Sequence, residues 1–155
     1  MIEIEIPGRE TLRITAAVLD YNGTIARDGV LLPEAAERIH TLAELLPVYV
    51  LTADTYGTVQ TQCEGLGVMV RTFPKAGAAA HKAAIVRELG KGVFAMGNGF
   101  NDKEMFDAAE LTVAVMEREG LCAALLSHAD VMVTAPEDGL DLLLKSDRLR
   151  ATLRT

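Results

Sequence analysis

Ile2, Ile4 and Ile6 alternate with Glu3 and Glu5, Pro7-Gly8 breaks the run, and Leu12 and Ile14 resume the alternation. A period of two on both sides of a turn dipeptide predicts a β-hairpin over residues 1–15. From there strand and helix patterns alternate along the chain. Residues 16–20 are a short apolar run, and Pro33 opens a helix whose Ala36, Ile39, Ala43 and Leu46 share one face. A strand over 47–52, a helix at 57–65 and a strand over 68–73 follow. Ala79, Ala83 and Val86 then recur at helical spacing over 78–89, with Gly90 as the stop. The pattern continues as a strand over 92–96, a short helix from near Asn101, a strand over 111–115, a helix over 119–127, a strand over 131–134 and a last helix from Asp138. Such alternation predicts an α/β fold, a doubly wound parallel sheet. A single domain is expected: the hairpin at 1–15, a core at 16–134 and a C-terminal helix at 135–155.

Composition narrows this picture. A chain of 155 residues is long enough to bury ~70% of the surface it exposes when unfolded. Its net charge of −7 argues against a nucleic-acid surface and offers no polybasic patch for a membrane. No apolar run approaches the ~20 residues needed to cross a bilayer, and the N-terminus does not resemble a signal peptide. Cys63 and Cys122 show no metal-like spacing and are expected to be reduced, which points to a cytoplasmic protein.

Candidate chemistry sits where apolar strands end. The first segment, Ala17-Val-Leu-Asp20-Tyr-Asn22-Gly23-Thr24, delivers a carboxylate to the carboxyl edge of the sheet, where ligands collect in open α/β folds. Gly23 permits a sharp turn whose N–H groups can face an anion. In the second, Val50-Leu-Thr52-Ala53-Asp54, a strand ends in a hydroxyl followed by backbone amides, suited to a phosphate oxygen. In the third, Lys82 stands near a helix start, where the dipole does not favour a cation and an anionic partner is wanted. In the fourth, Phe94-Ala-Met-Gly97-Asn98-Gly99-Phe100-Asn101-Asp102, a strand runs into a glycine loop with two carboxamides and a carboxylate, hard oxygen donors of the kind that suit Mg²⁺.

In this order the four segments resemble the motifs of the haloacid dehalogenase-like (HAD) hydrolase superfamily, and more closely the phosphorylation domain of P-type ATPases. The signature there runs Asp-Lys-Thr-Gly-Thr, then Thr-Gly-Asp, then a Lys before Ile-Val, then Gly-Asp-Gly-x-Asn-Asp. Here the matching residues are Asp20 to Thr24, Thr52-Ala53-Asp54, Lys82 with Ile85-Val86, and Gly97 to Asp102. The chain is similar to a group of soluble P-type ATPase-like proteins. The resemblance implies a HAD-like Rossmannoid fold and a Mg²⁺-dependent phosphohydrolase or phosphotransferase. Asp20 would be the nucleophile, forming an aspartyl-phosphate. Thr52 would hold a phosphoryl oxygen and Lys82 would neutralise charge. Asn22, Gly23, Thr24, Ala53, Asp54 and Asn101 would surround the phosphate. Asp20, the Asn22 carbonyl, Asn98 and Asp102 would hold the metal.

Two departures qualify the expected activity. Phosphatases of this superfamily carry an acid two residues after the nucleophile, where this chain has Asn22. General acid–base catalysis is worth ~10²–10⁴-fold, so slow hydrolysis is expected. Asn98 stands where the family has a metal-binding Asp, which predicts weaker Mg²⁺ binding and leaves more of the charge balance to Asp102. The alternative is therefore a phosphate-binding regulatory or interaction protein with impaired catalysis. Asn22-Gly23 and Asn98-Gly99 are also both Asn-Gly pairs, which deamidate readily, so ageing is expected to turn either into aspartate or isoaspartate.

The 27 residues between Thr24 and Thr52 and the 29 between Thr52 and Lys82 leave no room for an inserted cap, since an independent domain needs ~50 or more. Capless members often form homo-oligomers or act on large phosphorylated substrates, so the expected partners are a small phosphorylated substrate or a phosphoprotein and a second copy of the chain. Specificity would rest on loop residues such as Tyr21, Tyr56 and Phe100. Lys75, after Pro74, is the rival to Lys82, but the spacing to Ile85-Val86 favours Lys82. Asp54 fits either a bond to a loop N–H or the phosphate pocket. His40, His81 and His128 read as surface or helix-end residues, and Met96, Met105, Met116 and Met132 as core fillers. The basic tail, with Lys145, Arg148, Arg150 and Arg154, reads as a solvated helix end.

Overall fold

A computed structural model of the protein describes residues 1–54 and 57–155. The alternating N-terminus forms the expected hairpin, with β1 (Ile2–Ile4) antiparallel to β2 (Leu12–Ile14) and Ile2 opposite Ile14. The apolar run behind Asp20 is β3 (Ala16–Asp20), buried along its whole length. A small hairpin, β4 (Ala26–Arg27) and β5 (Val30–Leu31), then precedes α1 (Pro33–Ala43). Next come β6 (Val48–Thr52), α2 (Thr58–Gln62), β7 (Met69–Thr72), α3 (Ala78–Leu89) and β8 (Val93–Gly97). After β8 follow a 3₁₀ turn (Phe100–Asp102), α4 (Lys103–Ala108), β9 (Leu111–Val115), a second 3₁₀ turn (Ala123–His128), β10 (Val131–Val133), α5 (Pro136–Leu144) and α6 (Ser146–Leu153).

Six strands make one parallel sheet in the order β10-β9-β8-β3-β6-β7. The chain winds outward from β3 through β6 to β7, then crosses back through α3 and winds the other way from β8. The reversal opens a crevice between the carboxyl ends of β3 and β8, where doubly wound sheets bind ligands. Leu19 lies opposite Met96, so Asp20 and Gly97 end neighbouring strands side by side.

Alternation along each strand divides the core in two. Ala17, Leu19, Val48, Val50, Phe94 and Met96 face α1, α5, α6 and the N-terminal hairpin. Val18, Leu51, Val93 and Ala95 face Ile85 and Val86 of α3, Met105 and Phe106 of α4, and Leu125. Among the described residues no helix is long and apolar enough to cross a membrane.

Several elements differ from the sequence reading. The helix expected over 119–127 is a 3₁₀ turn, because the residues before it are drawn off elsewhere. Glu117 pairs with Arg27, Glu119 accepts the Asp28 N–H, and the Cys122 N–H is donated to Asn98 O at 2.8 Å. The last helix starts at Pro136 rather than Asp138, since a proline is pre-organised for the first helical position. It breaks at Lys145, where φ −126° and ψ 67° leave the helical region.

The basic tail is not merely solvated. Lys145 and Arg148 pair with the buried Asp141, which Arg38 of α1 also meets, and Arg150 donates to Glu5 O in the hairpin. Met96 and Met105 fill the core as expected, whereas Met116 and Met132 are 48% and 44% exposed. Burial alternates along β10, so Met132 points outward between the half-buried Val131 and Val133.

Candidate active site

Backbone constraints at the ends of β3 and β8 assemble the site. After Asp20 the chain folds tightly, with Tyr21 O accepting the N–H groups of Thr24, Ile25 and Ala26. Gly23 makes the turn possible: its φ is +78°, and a Cβ there would lie 2.4 Å from Asn98 Nδ2. The fold returns Thr24 beneath Asp20, its hydroxyl 2.9 Å from Asp20 Oδ2 and 3.0 Å from Asn98 Oδ1. At the end of β8, a Cβ on Gly97 would lie 2.6 Å from Asp102 Cγ. Only glycine lets that carboxyl fold back onto the loop, where Oδ2 accepts the N–H groups of Asn98 and Gly99 at 3.0 and 2.9 Å.

Lys82, in the second turn of α3, enters from the side. Its ammonium donates to Asp20 Oδ1 and Asp102 Oδ1, both at 2.8 Å, and to Asn101 Oδ1 at 3.0 Å. All three charged groups are buried: Asp102 is 0%, Lys82 3% and Asp20 7% exposed. One cation therefore serves two carboxylates in a poorly solvated place. Burial disfavours the Lys82 ammonium, but the charges of Asp20 and Asp102 outweigh it and raise its pKa above the ordinary lysine value.

For Asp20 the balance goes the other way. Burial first, then the charge of Asp102, push its carboxyl up to about 7, although Lys82 and Thr24 oppose the shift. The two partners of one ion pair thus move in ways that each favour holding a proton, as expected when the lysine is shared and the trio carries a net charge of −1.

The oxygen atoms beside Asp20 are short of hydrogen. Asp20 Oδ2, Thr24 Oγ1 and Asn98 Oδ1 lie in a row, joined at 2.9 and 3.0 Å. The Asn98 amide is oriented by its Nδ2 donating to Gly120 O at 3.1 Å. When Asp20 is ionised, the only hydrogen in that row is the threonine hydroxyl's, and it can serve only one acceptor at a time. A proton on Asp20 or a hard cation would satisfy the row, and an excess negative charge with oxygen donors is the chemistry of a Mg²⁺ site. Asp102 has less to offer, with Oδ2 already taken by two amides and Oδ1 by Lys82. Among the described residues, no group of three or more His, Cys, Asp and Glu side chains could hold a metal. The donor set depends on Asn98 and on backbone.

These groups open onto a cavity of about 270 Å³ whose lining includes Asp20, Thr52, Ala53, Lys82, Asn98 and Asn101. Thr52 Oγ1 accepts the Asp54 N–H at 3.1 Å. Asn22 borders this cavity and a second one beside it. The structure thus gathers Asp20, Asn22, Thr24, Thr52, Ala53, Lys82, Asn98, Asn101 and Asp102 into one place. Asp54 stands apart from the trio. Its Oδ2 accepts the Thr58 hydroxyl at 2.8 Å and the Val59 N–H at 3.1 Å at the start of α2, and it borders the second cavity. Lys75 borders that second cavity too, so Lys82 is the lysine of the trio. Tyr56 lies outside the described residues.

The sequence reading missed the loop 117–122 as a brace. It holds the β4–β5 hairpin through Arg27 and Asp28 and fixes Asn98 through Gly120 and Cys122. The dipeptide Asp28-Gly29, with φ of 52° and 81°, was the one local signal of that hairpin.

The two Asn-Gly pairs are not equivalent. The Asn98 amide is held at both ends and the Gly99 N–H is given to Asp102, whereas Asn22 is exposed. On incubation at pH 8, the mass increase of deamidation is expected in the peptide containing Asn22 well before the one containing Asn98. Peptide mass spectrometry of timed samples checks this, and equal rates would contradict the clamp on Asn98.

No family model matches the chain. It is 39% identical over 64 residues to the uncharacterized protein MJ0073 of Methanocaldococcus jannaschii, a match covering 41% of this chain and 69% of that protein. The cobalt-bound deoxy-D-mannose-octulosonate 8-phosphate phosphatase of Haemophilus influenzae superposes with a TM-score of 0.71 at 13% identity, over 92% of this chain and 94% of that one. The corresponding phosphatase of Moraxella catarrhalis, solved with magnesium, phosphate and KDO, gives 0.70 at 16% identity over 91% and 94%. A Streptomyces avermitilis protein assigned as a HAD family hydrolase gives 0.69 at 20% identity over 86% and 87%. Such identities speak to fold: the chain has the fold of the HAD hydrolases, and it belongs to the same family as the Methanocaldococcus jannaschii protein.

Proposed function

We propose that the protein is a phosphohydrolase or phosphotransferase that works through an aspartyl-phosphate on Asp20. The observation that carries this is Lys82, whose buried ammonium lies 2.8 Å from both Asp20 Oδ1 and Asp102 Oδ1 at the switch point of the sheet. Phosphoryl transfer is chiefly positioning and charge stabilisation, and this arrangement supplies both. Ionised Asp20 forms a bond to phosphorus as the bond to the leaving oxygen breaks. Lys82, the Thr52 hydroxyl and the Ala53 amide stabilise the phosphoryl oxygens. Mg²⁺ would be held by Asp20, the Asn22 carbonyl, Asn98 and the remaining capacity of Asp102, and when bound it neutralises phosphoryl charge.

The leaving oxygen takes its proton from water. Asn22 cannot titrate, and burial pushes the Tyr21 phenol up to about 12, with its hydrogen given to Gly29 O. The same lack of an acid slows hydrolysis of the phospho-enzyme by ~10²–10⁴-fold, which is why we place the protein nearest the P-type ATPase-like group. Its substrate would be a small phosphorylated molecule or a phosphoprotein.

Incubation with Mg²⁺ and a panel of phosphoryl donors is expected to leave phosphate on the tryptic peptide that contains Asp20. The Asp20→Ala variant should show none. No adduct and no released phosphate from any donor would overturn the reading in favour of a phosphate-binding protein without turnover.

A further inference from the structure

Beside the cavity that Asp20 faces lies a larger one of about 410 Å³. The two share Asn22 and Ala53 along their border. A volume above ~300 Å³ is in the range of small-molecule sites. One wall is apolar and rigid: Tyr21 is 1% exposed, and its hydroxyl is tied to Gly29 O at 2.9 Å. The other wall is polar, made by Asn22, Asp54, Thr58 and Lys75. Lys75 is the only basic side chain among the described lining residues, and it makes no ion pair among the described residues. Asp54 is different, since its Oδ2 already accepts the Thr58 hydroxyl and the Val59 N–H.

Lys75 is exposed, and the lining's other charged group, Asp54, already accepts two hydrogen bonds, so the Lys75 ammonium is the group there that can pair with an incoming anion. The phosphoryl group itself has Lys82 for its partner. We propose that the larger cavity is the leaving-group subsite, and that it takes a small hydroxylated leaving group bearing a second negative charge, a carboxylate or a second phosphate, paired with Lys75. The hydroxyls would meet the Thr58 oxygen and the Asn22 amide, and the carbon skeleton would lie on Tyr21. The proposal rests on phosphoryl transfer at Asp20, which fixes the other end of the substrate.

The test is calorimetric binding to full-length Asp20→Asn protein in Mg²⁺, where turnover is blocked. The probes are phosphoglycerate and glycerol phosphate, which differ by one carboxylate. The acid is expected to bind about tenfold more tightly, the effect of one charge-assisted bond in a partly enclosed site. Lys75→Ala in the same background should remove that preference and leave glycerol phosphate unchanged, and Lys75→Arg should keep most of it. Equal binding of the two probes, or a preference that survives Lys75→Ala, would overturn the subsite and leave the phosphate site standing. Binding of neither probe, together with no phosphate transfer to wild type, would overturn both readings.

Discussion

Asp20→Asn is expected to melt roughly 5–10 °C higher than wild type at pH 8 in EDTA, as a gain of a few kcal/mol would give in a chain of this size. In the wild-type protein at that pH, Asp20 is ionised beside Asp102 with only Lys82 to balance both. Asparagine removes the surplus charge and satisfies every atom. Its Oδ1 accepts from Lys82, its Nδ2 donates to Thr24 Oγ1, and the threonine hydrogen is free for Asn98 Oδ1. The pH dependence follows from the direction of the shift. Asp20 titrates at about 7 folded against an ordinary value of 3.8, so the folded state holds the proton more tightly. The stability it lends is complete below about 4 and is lost as pH rises through 7. The advantage of the asparagine should therefore shrink steadily as pH falls from 8 towards 4. Mg²⁺ should raise the melting temperature of wild type more than that of the variant, because it relieves the same charge. Thermal melts across this range check both statements, and a variant no more stable than wild type at pH 8 would sink the account of a charge-strained pocket.

That strain was only half legible in the sequence. Apolar runs ending in Asp20, Thr52 and Gly97 announced strand ends, because a parallel strand buried on both faces is a continuous hydrophobic stretch. The alternation of elements announced the sheet. Lys82 stood out because a lysine near a helix start lacks a local reason. What sequence could not give was the strand order, which places β3 beside β8 and so brings Asp102 within reach of the lysine that Asp20 also uses. Nor could it show that Thr24 joins Asp20 to Asn98, since that depends on a turn that sets one hydroxyl 2.9 Å from the first and 3.0 Å from the second.

Contacts between distant segments account for the other misses. The basic tail read as a solvated helix end, yet Lys145 and Arg148 pair with Asp141, which is buried and also meets Arg38 of the distant α1. The segment 119–127 had a helical pattern that the β4–β5 hairpin overrode through Glu117 and Glu119. In each case a charge found its partner across a large gap in the chain, which periodicity cannot register.

Lys82→Ala is the converse experiment, and its expected cost is large. Removing one partner of a buried ion pair destabilises by about 3–5 kcal/mol, because the other charge stays buried without compensation. Here two carboxylates would be left facing each other. The loss should appear in urea unfolding at pH 8. It should diminish as pH falls, since Asp20 then takes up a proton in place of the lysine. The double variant Asp20→Asn, Lys82→Ala should be more stable than Lys82→Ala alone, because one of the stranded charges is gone. A double-mutant cycle measures that coupling directly. Phosphate transfer to Asp20 should fall by roughly 10²–10³-fold in Lys82→Ala, the usual effect of losing a preorganised group at developing charge. Stability and transfer report on different states, the first on the empty pocket and the second on the charge that develops at phosphorus. If Lys82→Ala unfolds like wild type, the lysine is not the counter-charge of Asp20 and Asp102. If stability falls but transfer persists, the phosphoryl oxygens have another cation, and Lys82 serves the fold alone.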